Sequence, residues 1–148
     1  GYKATDEVRR RFYLILWNSY KFFVDYALLV SWSTGSKKAE LSILDKWILA
    51  RLTEVVLRVN VRLAKYDGVD AVRTLEEFIV GDFSTWYIRR SRGRVVFPVM
   101  YEVLVTLAKL LAPFMPFISE EIYRNLTGKQ SVHLEDIRQF PRQNPMKN

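Results

Sequence analysis

The feature that most constrains this chain is a long apolar rhythm with the period of an α-helix, broken by few glycines and prolines. Apolar side chains recur at three- and four-residue spacing, the mark of helices with one buried face. The first helix is predicted from Thr5 or Asp6 to about Val30. Its stripe is Val8, Phe12, Ile15, Leu16, Ser19, Phe22, Phe23, Tyr26 and Val30. Ser33-Thr34-Gly35-Ser36 breaks that pattern, and Lys37-Lys38 keeps the break solvated. A second helix opens at Ser42, whose hydroxyl and the Asp45 carboxylate three residues on can cap each other. Its stripe runs Leu44, Ile48, Leu52, Val55, Val56, Val59, Leu63 and Tyr66, and Asp67-Gly68 is expected to close it with Gly68 left-handed. Asp70 is then the expected cap of a third helix, with Val72, Leu75, Phe78, Ile79, Phe83, Trp86 and Tyr87 on its inner side.

Pro98 suits the first turn of a fourth helix, which Pro113 stops. That helix is apolar nearly all round, so it is expected at the centre. Pro116 starts a short fifth helix ending near Leu126, before Gly128. No stretch alternates with period two, so no sheet is expected. The expected fold is therefore all-α, an antiparallel bundle of four long helices plus a short C-terminal helix. Residues 1–141 form the helical domain, and residues 142–148 a polar tail, irregular or leading to a further module. Beginning at Gly1 rather than Met, the chain is expected to be a fragment or a processed form.

With 148 residues and 49% hydrophobic side chains, one domain with a sizeable core is affordable without disulfides or metals. There is no cysteine, which removes disulfide scaffolds, Cys-ligated zinc and Cys nucleophiles together. No apolar run with a small-residue cleavage site follows the polar start, and no segment reads as a membrane span. The net charge of +7 allows either a polyanionic partner or a plain solvated basic surface.

Catalysis finds no candidates. His133 is the single histidine and lies in the polar tail. No glycine-rich phosphate loop and no HExxH occurs. Glu120 and Glu121 are adjacent, so on a helix they point about 100° apart and read as first-turn acids.

Binding has a clearer candidate. Trp86-Tyr87-Ile88-Arg89-Arg90-Ser91-Arg92-Gly93-Arg94 puts four arginines in six residues, directly after two aromatics. The planar guanidinium forks onto phosphate and stacks on bases, and an exposed indole or phenol can stack on an unpaired base. Against this, cations at a helix C-terminus also suit the dipole, and one of Trp86 and Tyr87 belongs in the core. Arg9-Arg10-Arg11 span too wide an arc to face one partner. Arg51, Arg58, Arg62 and Lys65 share a face of the second helix, as a contact strip or a solvent face. Asp82, on an otherwise buried side, is expected to pair with a cation. Asn18 can either read a base edge or hydrogen-bond within the bundle.

Taken in order, several blocks resemble a known family. They are Trp17-Asn18-x-x-Lys21-Phe22-Phe23, then Leu44-Asp45-Lys46-Trp47-Ile48-Leu49-Ala50-Arg51-Leu52, then Phe78 to Arg94. Leu110-Leu111-Ala112-Pro113-Phe114-Met115-Pro116-Phe117-Ile118-Ser119-Glu120-Glu121-Ile122-Tyr123 follows, then Ser131-Val132-His133-Leu134 and Phe140-Pro141. The pattern, from Gly1 to about Pro141, is similar to the anticodon-binding domain of class I aminoacyl-tRNA synthetases. The arginine block and Ser131-Val132-His133-Leu134 resemble the isoleucyl branch most, with the valyl and leucyl branches as relatives. Gly93 and the short connection from Arg94 to Tyr101 depart from the family pattern.

The resemblance implies a domain that holds the anticodon arm of tRNA(Ile), attached to the catalytic domain of the same parent chain in the cytoplasm. It implies ATP and magnesium for the parent enzyme and no cofactor for this segment, which lacks the H-I-G-H and K-M-S-K-S signatures. The implied RNA contacts are Arg89, Arg90, Arg92 and Arg94, with Asn18, Lys21 and Trp86 as secondary ones. A helical module that binds protein is the alternative, expected to expose an apolar patch and to bind with little salt dependence.

Overall fold

The computed structural model describes residues 2–36, 40–91 and 93–128, and every regular element among them is helical. Helix α1 is Tyr2–Leu29, α2 Ile43–Ala64, α3 Gly68–Glu77, and α4 a single turn, Arg89–Ser91. Between α3 and α4, Phe78–Ile88 continues the same rod as a π-helix. Helix α5 is Phe97–Leu111 and α6 is Pro116–Thr127. His133, the Ser131-Val132-His133-Leu134 block and the tail from 142 to 148 lie outside the described residues.

Helix α2 starts as its sequence dictates. The Ser42 hydroxyl accepts from the Asp45 N–H at 3.2 Å, and the Asp45 carboxylate accepts from the Ser42 N–H at 2.8 Å. Its end departs from expectation. Tyr66, not Gly68, takes the left-handed conformation, at φ 58°. The Asp67 N–H bonds to the Arg62 carbonyl and the Tyr66 N–H to the Leu63 carbonyl, which is a Schellman closure with Tyr66 at C′. Gly68 is instead the first residue of α3, capped by Asp67, whose carboxylate accepts from the Asp70 N–H at 3.1 Å. Asp70 is thus not the cap: its carboxylate faces Arg58 and Arg62. Helix α1 closes the same way, with Ser31 left-handed and the Trp32 N–H bonded to the Ala27 carbonyl. That closure swings the Trp32 ring onto Phe23, Phe97 and Tyr101.

Helix α5 is the centre. Val99, Met100, Val103 to Leu107, Ala108, Leu110 and Leu111 are all buried. Around it pack Leu16, Tyr20 and Phe23 of α1, Ile48, Val55, Val56 and Val59 of α2, and Leu75, Phe78 and Phe83 of the third rod. The Asn125 amide of α6 donates to the Tyr20 hydroxyl at 2.8 Å, tying α6 to α1. Four of the expected inner positions are not in the core: Tyr26, Val30 and Trp86 are about half exposed, and Tyr66 is 97% exposed because the left-handed turn throws it outward.

Tyr66 makes no burial that a substitution could lose, yet holds a conformation that costs a side chain about 1–2 kcal/mol. Part of the relief from a glycine there is offset by its freer unfolded chain. We predict that Tyr66→Gly stabilises the fold by about 0.5–1 kcal/mol in urea unfolding. A lower unfolding midpoint would contradict the closure described.

Candidate nucleic-acid interface

The candidate site is the C-terminal end of the third rod, and its shape follows from the π-helical turns beneath it. In a π-helix the backbone bonds run i→i+5, so a face repeats at wider spacing than in an α-helix. Thr85 reflects this, its hydroxyl donating to the Val80 carbonyl five residues back at 2.6 Å. The Phe78 and Phe83 rings, five apart, lie parallel within 2°, and Tyr87 extends the column at 6.2 Å from Phe83. Tyr87 is fully buried, whereas its neighbour Trp86 is 48% exposed. Three- and four-residue spacing placed both on the inner side; the five- and four-residue steps of the π-helix put Tyr87 in line with Phe78 and Phe83 and leave Trp86 to the side.

Asp45 anchors this end. Its carboxylate is 2% exposed and accepts from the Tyr87 hydroxyl at 2.8 Å. Burial, reinforced by that hydrogen bond, pushes the Tyr87 phenol far above its ordinary range, so it stays a donor. Arg94 also turns to this carboxylate, Nη1 to Oδ2 at 3.8 Å, and donates from Nη2 to the Glu40 carbonyl. One acid therefore caps α2, holds the last π turn and receives the arginine after α4.

The cations divide into two groups. Arg51 pairs with Asp82 at 3.0 Å, as expected for Asp82, and with Glu54. Arg58 and Arg62 pair with Asp70 at 3.3 and 2.9 Å. The arginine strip of α2 is thus tied down by acids rather than presented as a free contact strip. The Arg58 hydrogen bond holds the Asp70 carboxyl below its usual range. In contrast, Arg89 and Arg90 are exposed, and among the described residues neither pairs with a carboxylate. Arg90 places its guanidinium carbon 3.4 Å from the centroid of the Trp86 ring. Arg92 lies outside the described residues.

Of the secondary candidates, Asn18 and Lys21 are both exposed on α1, Lys21 beside Asp25 at 3.7 Å. Asn18 makes no side-chain hydrogen bond within the bundle among the described residues. Trp86 and Arg90 are brought together; no hydrogen bond or ion pair joins Asn18 or Lys21 to them. Sequence reasoning gave no role at this site to Trp47 and Lys46. The Trp47 ring lies 6.4 Å from Trp86, and Lys46 is exposed beside it.

Residues 45–147 match the family model described as the anticodon-binding domain of tRNA ligase. The chain belongs to that family. Similar proteins include an isoleucine–tRNA ligase of Dehalococcoides mccartyi, 43% identical over 154 residues, covering 91% of this chain and 15% of the relative. The isoleucine–tRNA ligase of Thermus thermophilus is 37% identical, covering 92% of this chain and 15% of the relative. That of Deinococcus radiodurans is 40% identical, covering 89% and 13%. This anticodon-binding-family chain thus spans about 15% of the length of such relatives. Among the described residues no group of His, Cys, Asp and Glu is placed to hold a metal ion, and no helix is long and apolar enough to cross a membrane.

Removing the Tyr87 hydroxyl leaves a buried carboxylate short of one donor, a change worth about 1–3 kcal/mol. Tyr87→Phe is expected to destabilise by that amount in urea unfolding, whereas Tyr13→Phe, at a half-exposed position, stays within about 0.5 kcal/mol. Equal effects would show that the Asp45–Tyr87 bond does not hold this end.

Proposed function

We propose that this chain is the tRNA-gripping part of an isoleucine–tRNA ligase, holding the anticodon arm of tRNA(Ile). The ligation itself, with ATP and magnesium, belongs to a catalytic domain elsewhere in the parent chain, in the cytoplasm. This segment contributes binding energy and register and needs no cofactor of its own. An antiparallel arrangement of four long helices, with α6 closing one side, supplies the rigid support. The reversed order of Asp45–Tyr87, Arg51–Asp82 and Arg58–Asp70 along α2 and the third rod supports that arrangement.

The observation that carries the reading is the pair Arg89 and Arg90, exposed at the end of the rod and without a carboxylate partner among the described residues, in a chain of this family. Arg51, Arg58, Arg62, Arg94 and Arg124 each meet a carboxylate, whereas Arg89 and Arg90, like Arg9, Arg10, Arg11 and Arg73, form no ion pair among the described residues; what sets Arg89 and Arg90 apart is their place beside Trp86 at the end of the rod. Arg92 and Arg94 extend the set. Arg94 is half exposed and can reach a phosphate by giving up its long contact with Asp45. Guanidinium groups suit this role because they fork onto phosphate oxygens and release condensed counterions. Asn18 and Lys21 are proposed as accessory contacts from α1.

Four phosphate contacts give a log–log salt slope near −3, at about −0.7 per contact for single strands. Replacing Arg89 and Arg92 with Ala together should make the slope shallower by about 1.4 and weaken tRNA binding while helicity is retained. Titration of labelled tRNA at several salt concentrations reads both. An unchanged slope would remove the cluster from the interface. A protein-binding role would draw on exposed apolar side chains such as Leu28, Leu29, Val30, Ile43 and Phe117, and predicts association that salt barely alters.

A further inference from the structure

The Trp86 indole is a half-exposed aromatic face in a chain that wholly or partly buries most of its described rings. Trp47 supports it from α2, with ring centroids 6.4 Å apart and planes tilted by 56°. Trp47 is itself packed against the core, so the support is fixed. Over Trp86 lies the Arg90 guanidinium, its carbon 3.4 Å from the ring centroid. Among the described residues no carboxylate holds Arg90 in that position.

We infer that the Trp86 face is a seat for one unpaired nucleobase of RNA, covered by Arg90 in the free protein and opened when Arg90 moves aside. The inference rests on the anticodon-arm reading and deepens it. Three physical points carry it. A planar cation on an indole occupies the place a planar base would take. A cation–π contact at an exposed site is weaker than the stacking of a base on an aromatic side chain, so the exchange is favourable. The displaced guanidinium, still on the same short turn, is then available to a phosphate of the strand whose base took its place. Trp47 is a positioning residue here: it touches the platform rather than the base and keeps the indole from folding inward.

The test uses the full chain and an anticodon stem-loop RNA carrying 2-aminopurine at each unpaired loop position in turn. Wild-type protein should quench the fluorophore at one position at least. Trp86→Leu should abolish the quench and weaken binding about tenfold, with the salt slope unchanged because stacking releases no counterions. Trp86→Phe should lie between the two. Arg90→Ala should keep the quench while making the slope shallower by about 0.7. Trp47→Leu should reduce the quench, and Trp47→Phe should restore it. Circular dichroism is expected to show unaltered helicity for the Trp86 variants, since that side chain is half exposed. A quench that survives Trp86→Leu, or that Arg90→Ala abolishes as completely as Trp86→Leu does, overturns the proposal. Salt-dependent binding with no quench at any position sinks the seat and leaves the arginine reading standing. Absence of any binding sinks both.

Discussion

A carboxylate surrounded by helices is costly unless donors from its neighbours replace the water it gives up. Asp45 finds those donors in separate parts of the chain: the Ser42 N–H before α2, the Tyr87 hydroxyl in the π-helix, and the Arg94 guanidinium beyond α4. Each contact does a different job. The first starts α2 at a defined residue, the second pins the third rod to that start, and the third draws the following loop back over the joint. The end of the rod that carries Arg89 and Arg90 is thus held from both sides of one acid. Without it, apolar packing and the Arg51–Asp82 pair further back along the rod would have to fix where that end points.

The π-helical turns explain why the joint presents what it does. What the wider turn changes is which residue lines up with Phe78 and Phe83: five- and four-residue steps bring Tyr87 into line. The wider turn lets Phe78, Phe83 and Tyr87 form the buried column and leaves Trp86 half outside. The same rod then ends in Arg89 and Arg90, which meet no carboxylate among the described residues, while the arginines of α2 are occupied by Asp70, Asp82 and Glu54. Along α2 arginine stitches helices together; at 89 and 90 it does not, and Arg94 turns back to Asp45.

Much of this was legible in the residues. Helical periodicity located the long helices of the described residues, Ser42 and Asp45 announced their reciprocal cap, Gly128 marked the close of α6 with φ 71°, and Asp82 announced a cation partner. The misreadings have physical causes. Gly68 was the natural left-handed residue, but the chain closes α2 two residues earlier and spends that conformation on Tyr66, because the Asp67 N–H reaches the Arg62 carbonyl. Asp70 sits one helical turn too late to cap and instead serves Arg58 and Arg62. The π turns had no legible signal, since a five-residue spacing emerges only from how Phe83 and Tyr87 pack. Trp47 beside Trp86 joins positions far apart in sequence, so only the fold could show it. Whether the arginines of α2 formed a contact strip or a solvent face was open in the sequence for the same reason: Asp70 and Asp82, which pair with them, come from the third rod.

The central claim is that Asp45 holds the arginine-bearing end in place. Amide hydrogen exchange measures this directly, by comparing wild type with Asp45→Ala across the segment 84–91. The account predicts faster exchange there in the variant, while the amides of α5 around Leu104 and Leu107 keep their protection relative to global unfolding. Unchanged exchange across 84–91, with α2 equally unaffected at its start, would contradict it.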